Sequence, residues 1–273
     1  MAETVLFLHA HPDDEAIFTG GTMRLLAERG HRVVLVVATR GEQGRAPAGD
    51  RESLAARREA ETREAAARLG VSDLEVLGYL DSGLDGGARP GAFVHADVAE
   101  AAAQVAHIGR RVGATVLVSY DEGGIYGHPD HLQVHRVGRA AADRLGVRTL
   151  YEATVDREYL HFVETHLVEE AGAAAAFPLG PLDDTEAPYE PLLRGAPSGL
   201  GLAGTRVGMP SVLIDVVVDV RPVLAAKREA MLVHASQIPP DSSALRLTDA
   251  AFAEVYGYEW YLRHGPPGPL ELG

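Results

Sequence analysis

Over roughly the first 150 residues, short apolar runs alternate with longer segments of helical periodicity, a pattern that buries both faces of its strands only in a parallel sheet covered by helices. The runs are Thr4–His9 (TVLFLH), Arg32–Thr39 (RVVLVVAT), Leu74–Leu77, Ala114–Tyr120 (ATVLVSY) and Arg148–Thr154. Between them, helices are predicted over Ala16–Arg29, Arg51–Leu69, Val94–Val112 and His131–Leu145, with Gly30, Gly70 and Gly146 as stop signals. The expected fold is α/β, a Rossmann-like open, mostly parallel sheet with helices on both faces. Ser211–Val220 (SVLIDVVVDV) has strand character, and further helices are predicted near Val223–Ala235 and Ala250–Leu262. The organisation expected is one domain over residues 1–273: a core of about 1–155, a Pro/Gly-rich stretch of about 170–210 that reads as a lid or as a solvated linker, and a carboxyl-terminal extension of about 211–273.

Composition narrows the chemistry. With no cysteine there is no disulfide framework, no thiolate nucleophile and no Cys-based zinc site, so a metal would have to be held by His, Asp or Glu. The formal charge is −14 and Lys227 is the sole lysine, which argues against nucleic acid and anionic lipid as partners. The longest strongly apolar run, Val33–Ala38, is far short of the roughly 20 residues that span a bilayer. No basic stretch followed by an apolar one opens the chain, so a cytoplasmic protein without membrane insertion is expected.

In a doubly wound sheet, ligands bind beyond the carboxyl ends of the strands where strand order reverses, here between the first and fourth strands. The loop after the first reads His9-Ala10-His11-Pro12-Asp13-Asp14-Glu15, and that after the fourth runs from Asp121 through Tyr126-Gly127-His128-Pro129-Asp130-His131. The Gly-x-Gly-x-x-Gly fingerprint is absent from the first, which disfavours a dinucleotide-binding dehydrogenase. His11 and Asp14, three apart at the start of a helix, can converge, and His131 can reach them from the neighbouring loop. Two histidines and an aspartate with an open position form a catalytic zinc pattern, and Asp13 beside them is suited to take a proton from water.

The segments H-P-D-D-E and H-P-D-H resemble the LmbE-like, or PIG-L, family of metal-dependent N-deacetylases. Lesser matches are Thr39-Arg40-Gly41-Glu42-Gln43-Gly44, Arg58-x-x-Glu61, and His234-Ala235-Ser236-Gln237. The resemblance spans about the first 240 residues. It implies a zinc-dependent hydrolase that removes the acetyl group of an N-acetylglucosamine-type substrate, with His11, Asp14 and His131 as metal ligands and Asp13 as general base. It further implies His128 as the cation that stabilises the oxyanion, Asp130 as the carboxylate orienting His128, and Tyr126 as an extra donor. Fe²⁺ is the alternative to Zn²⁺. A small amino-sugar is the expected partner, and a homo-oligomer is compatible with the sequence.

Rival readings are an amidase for a longer acyl or thiol-conjugate amide, a metal-dependent phosphohydrolase, whose hard-cation site would favour oxygen ligands, and a non-catalytic sugar-binding protein. Glu15 reads either as a first-turn charge favouring the helix dipole or as support for the site. Glu42, Arg58 and Asp81 are candidates for substrate contact or ordinary solvated charges. His234 and Gln237 read as pocket residues or as a helix end, and the remaining histidines, His9 among them, as structural.

Overall fold

The computed structural model describes residues 2–45, 51–84, 89–163 and 207–271. Most of the predicted Pro/Gly-rich lid therefore lies outside the described residues. Strands β1 (Thr4–His9), β2 (Arg32–Thr39), β3 (Asp73–Tyr79), β4 (Val116–Tyr120), β5 (Thr149–Thr154), β6 (Val216–Asp219) and β7 (Tyr258–His264) form one sheet in the order β3-β2-β1-β4-β5-β7-β6. The first five pair in parallel, while β7 runs antiparallel to both β5 and β6. Residues Val5–Leu8 and Val33–Ala38 are completely buried, as β-branched and apolar strands covered on both faces require. The order reverses between β1 and β4, at the predicted switch point.

The helices that position the site are α1 (Asp14–Phe18), α2 (Gly20–Glu28), α3 (Arg51–Leu69), α4 (Val98–Val112), the short turn α5 (Gly124–Gly127) and α6 (Pro129–Leu145). Pro129 occupies the first turn of α6, where a missing N–H costs nothing, and Gly146 ends the helix at φ 64°, a conformation that glycine adopts freely. The remaining helices are α7 (Arg157–Phe162), α8 (Leu224–Val233), α9 (Ser243–Arg246) and α10 (Asp249–Tyr256).

Several expectations change: the helix expected from Val94 begins at Val98, and of Ser211–Val220 only Val216–Asp219 is strand. The helix predicted over Ala16–Arg29 is two helices, α1 and α2, broken at Thr19 with φ −139°. Thr19 Oγ1 lies 2.9 Å from His9 Nε2, and the α2 amides of Gly21 and Thr22 donate to the Glu259 carboxylate at 2.8 and 2.9 Å, so a residue from the far end of the chain caps the second helix. The helix predicted over Ala250–Leu262 ends at Tyr256, and Tyr258–His264 is strand β7. The aromatic-rich segment YEWYLRH fits a pleated surface, and its Glu259, Trp260 and Tyr261 are buried in the sheet.

Glu259 also receives Lys227 Nζ at 2.7 Å, both side chains being buried, which joins α8, α2 and β7. No helix among the described residues is long and apolar enough to cross a membrane.

Candidate metal and catalytic site

The carboxyl ends of β1 to β4 bring four loops together. From the first, the His11 main-chain N–H donates to Asp14 Oδ2 at 2.8 Å and His11 Nδ1 lies 3.4 Å from the same oxygen. His131 Nε2, at the start of α6, approaches that oxygen to 3.3 Å. All three residues are buried. Two imidazole nitrogens thus face one carboxylate oxygen. Tetrahedral zinc with bonds of about 2.0–2.1 Å would separate its ligand atoms by about 3.3 Å, so both spacings fit the edges of such a site.

The other side of the His11 ring supports the same reading. Nε2 lies 3.1 Å from Asp130 Oδ2 and 3.6 Å from Asp81 Oδ1, so that with a proton held on Nε2 by these carboxylates, Nδ1 is the nitrogen that would bind a cation beside Asp14. Among the described residues, nitrogens of His11, His128 and His131 lie within 4.8 Å of one another, as do donor atoms of His11, Asp81, His128 and Asp130. In the second group the carboxylates are already engaged: Asp130 accepts from the Ser82 N–H at 2.9 Å and from its hydroxyl, and Asp81 from the amides of Gly83 and Gln43 at 2.9 and 3.3 Å. The three carboxylates of Asp14, Asp81 and Asp130 surround the buried histidines with a surplus of negative charge, as a cation site requires. Burial opposes charge on His11 and Asp14, yet the carboxylates raise His11 well above the usual range, and His131 with His11 holds Asp14 well below it.

Asp13 sits at φ 108°, a left-handed conformation rarely taken by a side-chain-bearing residue and costing about 1–3 kcal/mol. Its N–H donates to Glu15 Oε2 at 2.9 Å, and its Oδ2 accepts from Arg58 Nη2 at 3.1 Å. Burial pushes its carboxyl up to about 6 against the opposing pull of Arg58. Arg58 also donates to the carbonyl oxygens of Gly41, at 2.6 Å, and Pro12. It is a clamp on two loops. Gly41 allows this close approach, because a Cβ there would lie 2.6 Å from the guanidinium carbon.

His128 caps α6, its Nδ1 accepting the Asp130 N–H at 3.1 Å. Two expectations for this pair are corrected. The Asp130 carboxylate is turned to His11 and Ser82, so its link to His128 runs through the main chain. Burial, with His11 and His131 beside it, pushes the His128 imidazolium down to about 3, so the ring stands neutral rather than as the expected cation. Since Nδ1 accepts, the proton of the neutral ring is on Nε2, which remains a donor. Tyr126 Oη lies 3.4 Å from His131 Nε2.

Glu42 Oε1 accepts the Asp81 N–H at 3.0 Å, while its Oε2 is buried without a partner among the described residues. His234 is fully buried against Glu15, 2.6 Å from Nε2 to Oε1, and Gln237 clasps the main chain of Arg45. Burial opposes both charges of the Glu15–His234 pair, but each partner favours the charged form of the other, lowering Glu15 and raising His234. Sequence reasoning missed Ser82, although it adjoins Asp81, a residue already singled out.

A family model described as PIG-L, GlcNAc-PI de-N-acetylase, matches residues 6–142. A 1D-myo-inositol 2-acetamido-2-deoxy-alpha-D-glucopyranoside deacetylase of Acidothermus cellulolyticus is 36% identical, over 96% of this chain and 89% of its own length. Among solved structures, the N,N'-diacetylchitobiose deacetylase of Pyrococcus horikoshii aligns over 96% of this chain and 84% of its own with TM-score 0.59 and 21% identity. A 4-carboxy-2-hydroxymuconate hydratase from Pseudomonas putida aligns over 99% of this chain and 100% of its own with TM-score 0.58 and 16% identity. Deacetylases and a hydratase share this fold, so the reaction must be argued from the site.

Proposed function

Because this chain belongs to the PIG-L family of GlcNAc-PI de-N-acetylases, we propose that it is a metal-dependent deacetylase that hydrolyses the acetamide of an N-acetylglucosamine-type substrate, releasing acetate and a free amine. The observation that carries the reading is the approach of His11 Nδ1 and His131 Nε2 to one oxygen of Asp14, 3.4 and 3.3 Å away, with Asp13 next in the chain. The similarity of nearly the whole chain to a deacetylase of 1D-myo-inositol 2-acetamido-2-deoxy-alpha-D-glucopyranoside makes that glycoside the first substrate to test. The acidic composition argues against nucleic acid or an anionic lipid surface as the partner and supports action on a small molecule.

His11, Asp14 and His131 would hold Zn²⁺, with Fe²⁺ as the alternative occupant. Zinc bound there supplies a Lewis acid that polarises the amide carbonyl and lowers the pKa of water to about 7. Asp13 takes the proton from the attacking water, its carboxylate kept in place by Arg58. His128 donates through Nε2 to the carbonyl oxygen as negative charge grows on it, with Tyr126 as a second donor; such a donor is worth about 3 kcal/mol of barrier. The proton taken by Asp13 balances the one the departing amine gains. Asp130, anchored by Ser82, fixes the tautomer and tilt of His11.

The test combines metal analysis of untagged protein with acetate and amine release from the inositol glycoside. Bound zinc or iron, with equal release of the two products, supports the reading. Protein that neither contains nor takes up metal, or that leaves N-acetyl sugars intact, overturns it.

A further inference from the structure

The His234-Ala235-Ser236-Gln237 run lies at the end of α8, outside the four loops that form the site, yet its histidine meets the first of those loops. Glu15 and His234 are each completely buried and lie 219 residues apart in the chain. Glu15 Oε1 accepts from His234 Nε2 at 2.6 Å, and Oε2 accepts the Asp13 main-chain N–H at 2.9 Å. We propose that Glu15 and His234 are a positioning pair for Asp13, which makes the end of α8 a working part of the catalytic site. The inference rests on the reading of Asp13 as the general base.

Three observations carry it. Asp13 holds a left-handed conformation, φ 108°, with no capping bond from its side chain to α1. The bond from its N–H to Glu15 fixes that backbone from one side, as the bond from Arg58 fixes the carboxylate from the other. Next, the carboxylate that reaches back to the N–H of Asp13, the residue capping α1, is the one that holds His234: Oε2 takes the first and Oε1 the second, so the histidine bears directly on the turn of the base. Finally, His234 Nδ1 is buried without a partner, so the ring's hydrogen bonding among the described residues is spent on Glu15. The turn carrying the histidine is itself fastened: Ser236 donates from N–H and hydroxyl to Glu61 of α3 at 3.0 and 2.6 Å, and Gln237 accepts the Arg45 N–H at 2.8 Å.

The pair is tested with Glu15→Ala, His234→Ala, Glu15→Gln, Asp13→Asn and the double variant Asp13→Asn/His234→Ala, using the inositol glycoside as substrate. A displaced base costs roughly 10- to 100-fold in turnover, so Glu15→Ala and His234→Ala are expected to lower kcat by that factor at near-constant KM and metal content. Glu15→Gln, which still accepts the Asp13 N–H, recovers most of the loss. In the Asp13→Asn background, removing His234 costs nothing further, because there is no base left to position. Crystal structures of the wild type and of His234→Ala supply a readout independent of turnover: φ at residue 13 is left-handed in the first and relaxed in the second. If His234→Ala does not fold, His234→Gln replaces it, keeping a donor to Glu15 and most of the activity. Unchanged kcat in the alanine variants, multiplying losses in the double variant, or an unmoved Asp13 overturns the proposal. A wild type inert toward N-acetyl sugars overturns the base reading alone, and φ at residue 13 then decides the pair.

Discussion

Arg58 Nη2 lies 3.1 Å from Asp13 Oδ2, and the same guanidinium donates to the carbonyl of Gly41, which commits to the protein a charge that could have met a substrate. Arg58→Ala frees the Asp13 carboxylate and leaves the Gly41 and Pro12 carbonyls without this donor. We expect a loss in kcat of at least about tenfold with metal retained. Arg58→Lys does not restore it, because one ammonium cannot span the three acceptors in the fork geometry of a guanidinium. Steady-state kinetics with parallel elemental analysis checks both, and a lysine variant of wild-type turnover would refute the clamp.

Metal removal has a stability signature as well. The three carboxylates around His11 repel one another once a cation is withdrawn, and an ion that binds only the folded state stabilises it by about 2.7 kcal/mol at 100 times its dissociation constant. Chelation therefore lowers the melting temperature of the wild type and added Zn²⁺ restores it. His11→Ala, Asp14→Ala and His131→Ala should melt at the same temperature with or without added Zn²⁺. A chelator that leaves wild-type melting unmoved would count against the site.

Acid stability turns on Glu152, a buried carboxylate of β5. Burial opposes its ionisation, but hydrogen bonds from His135, Arg139 and His264 outweigh that and hold it down at about 2, against an ordinary 4.5. The depressed value means that Glu152 stabilises the fold fully above about pH 4.5 and loses this contribution as pH falls toward 2; the contribution is of order 3 kcal/mol. His135, raised above its ordinary value despite burial because Glu152 accepts its proton, contributes with the opposite slope, fully below about 6.5 and lost as pH rises through its folded value. Unfolding curves for the wild type and Glu152→Gln should converge as the solution is acidified from pH 6 to 3. Parallel curves over that range would exclude the assignment.

Gly138 of α6 faces Ser119 of β4 so closely that a Cβ would sit 2.4 Å from the serine Cβ. Gly138→Ala forces apart the helix that carries His131 and the strand beneath it, at a cost of about 1–3 kcal/mol. Ser119 Oγ is buried without a partner among the described residues, so Ser119→Gly removes the obstacle without breaking a hydrogen bond found there. Adding it to Gly138→Ala should recover most of the lost melting temperature. No recovery in the double variant would place the strain elsewhere.

Much of the site could be read from the chain because both His-Pro-Asp segments lie at strand ends, where a parallel sheet gathers its loops whatever the details of packing. Local patterning also sufficed for β1 and β2, whose predicted limits, Thr4–His9 and Arg32–Thr39, are those observed. What depended on distant partners was hidden. Thr19 breaks a helix whose periodicity runs on, and the cap of the second half comes from Glu259. Tyr258–His264 is a strand because β5 and β6 present edges for it to pair with, information absent from its own seven residues. The support that Asp130 gives His11, and Ser82 gives Asp130, is a matter of where carboxylate oxygens point, and residue spacing does not encode that.

The insertion of β7 between β5 and β6 also sets an order of events during synthesis. The loop of His11 and Asp14 is made well before its supports: Glu15 lacks His234 until the end of α8 has emerged, and α2 lacks its Glu259 cap until β7 has. Contacts of such long sequence separation form late. In a growing chain Glu15 is therefore made 219 residues before the histidine that fastens it, and the final shape of the Asp13 turn waits on distant packing.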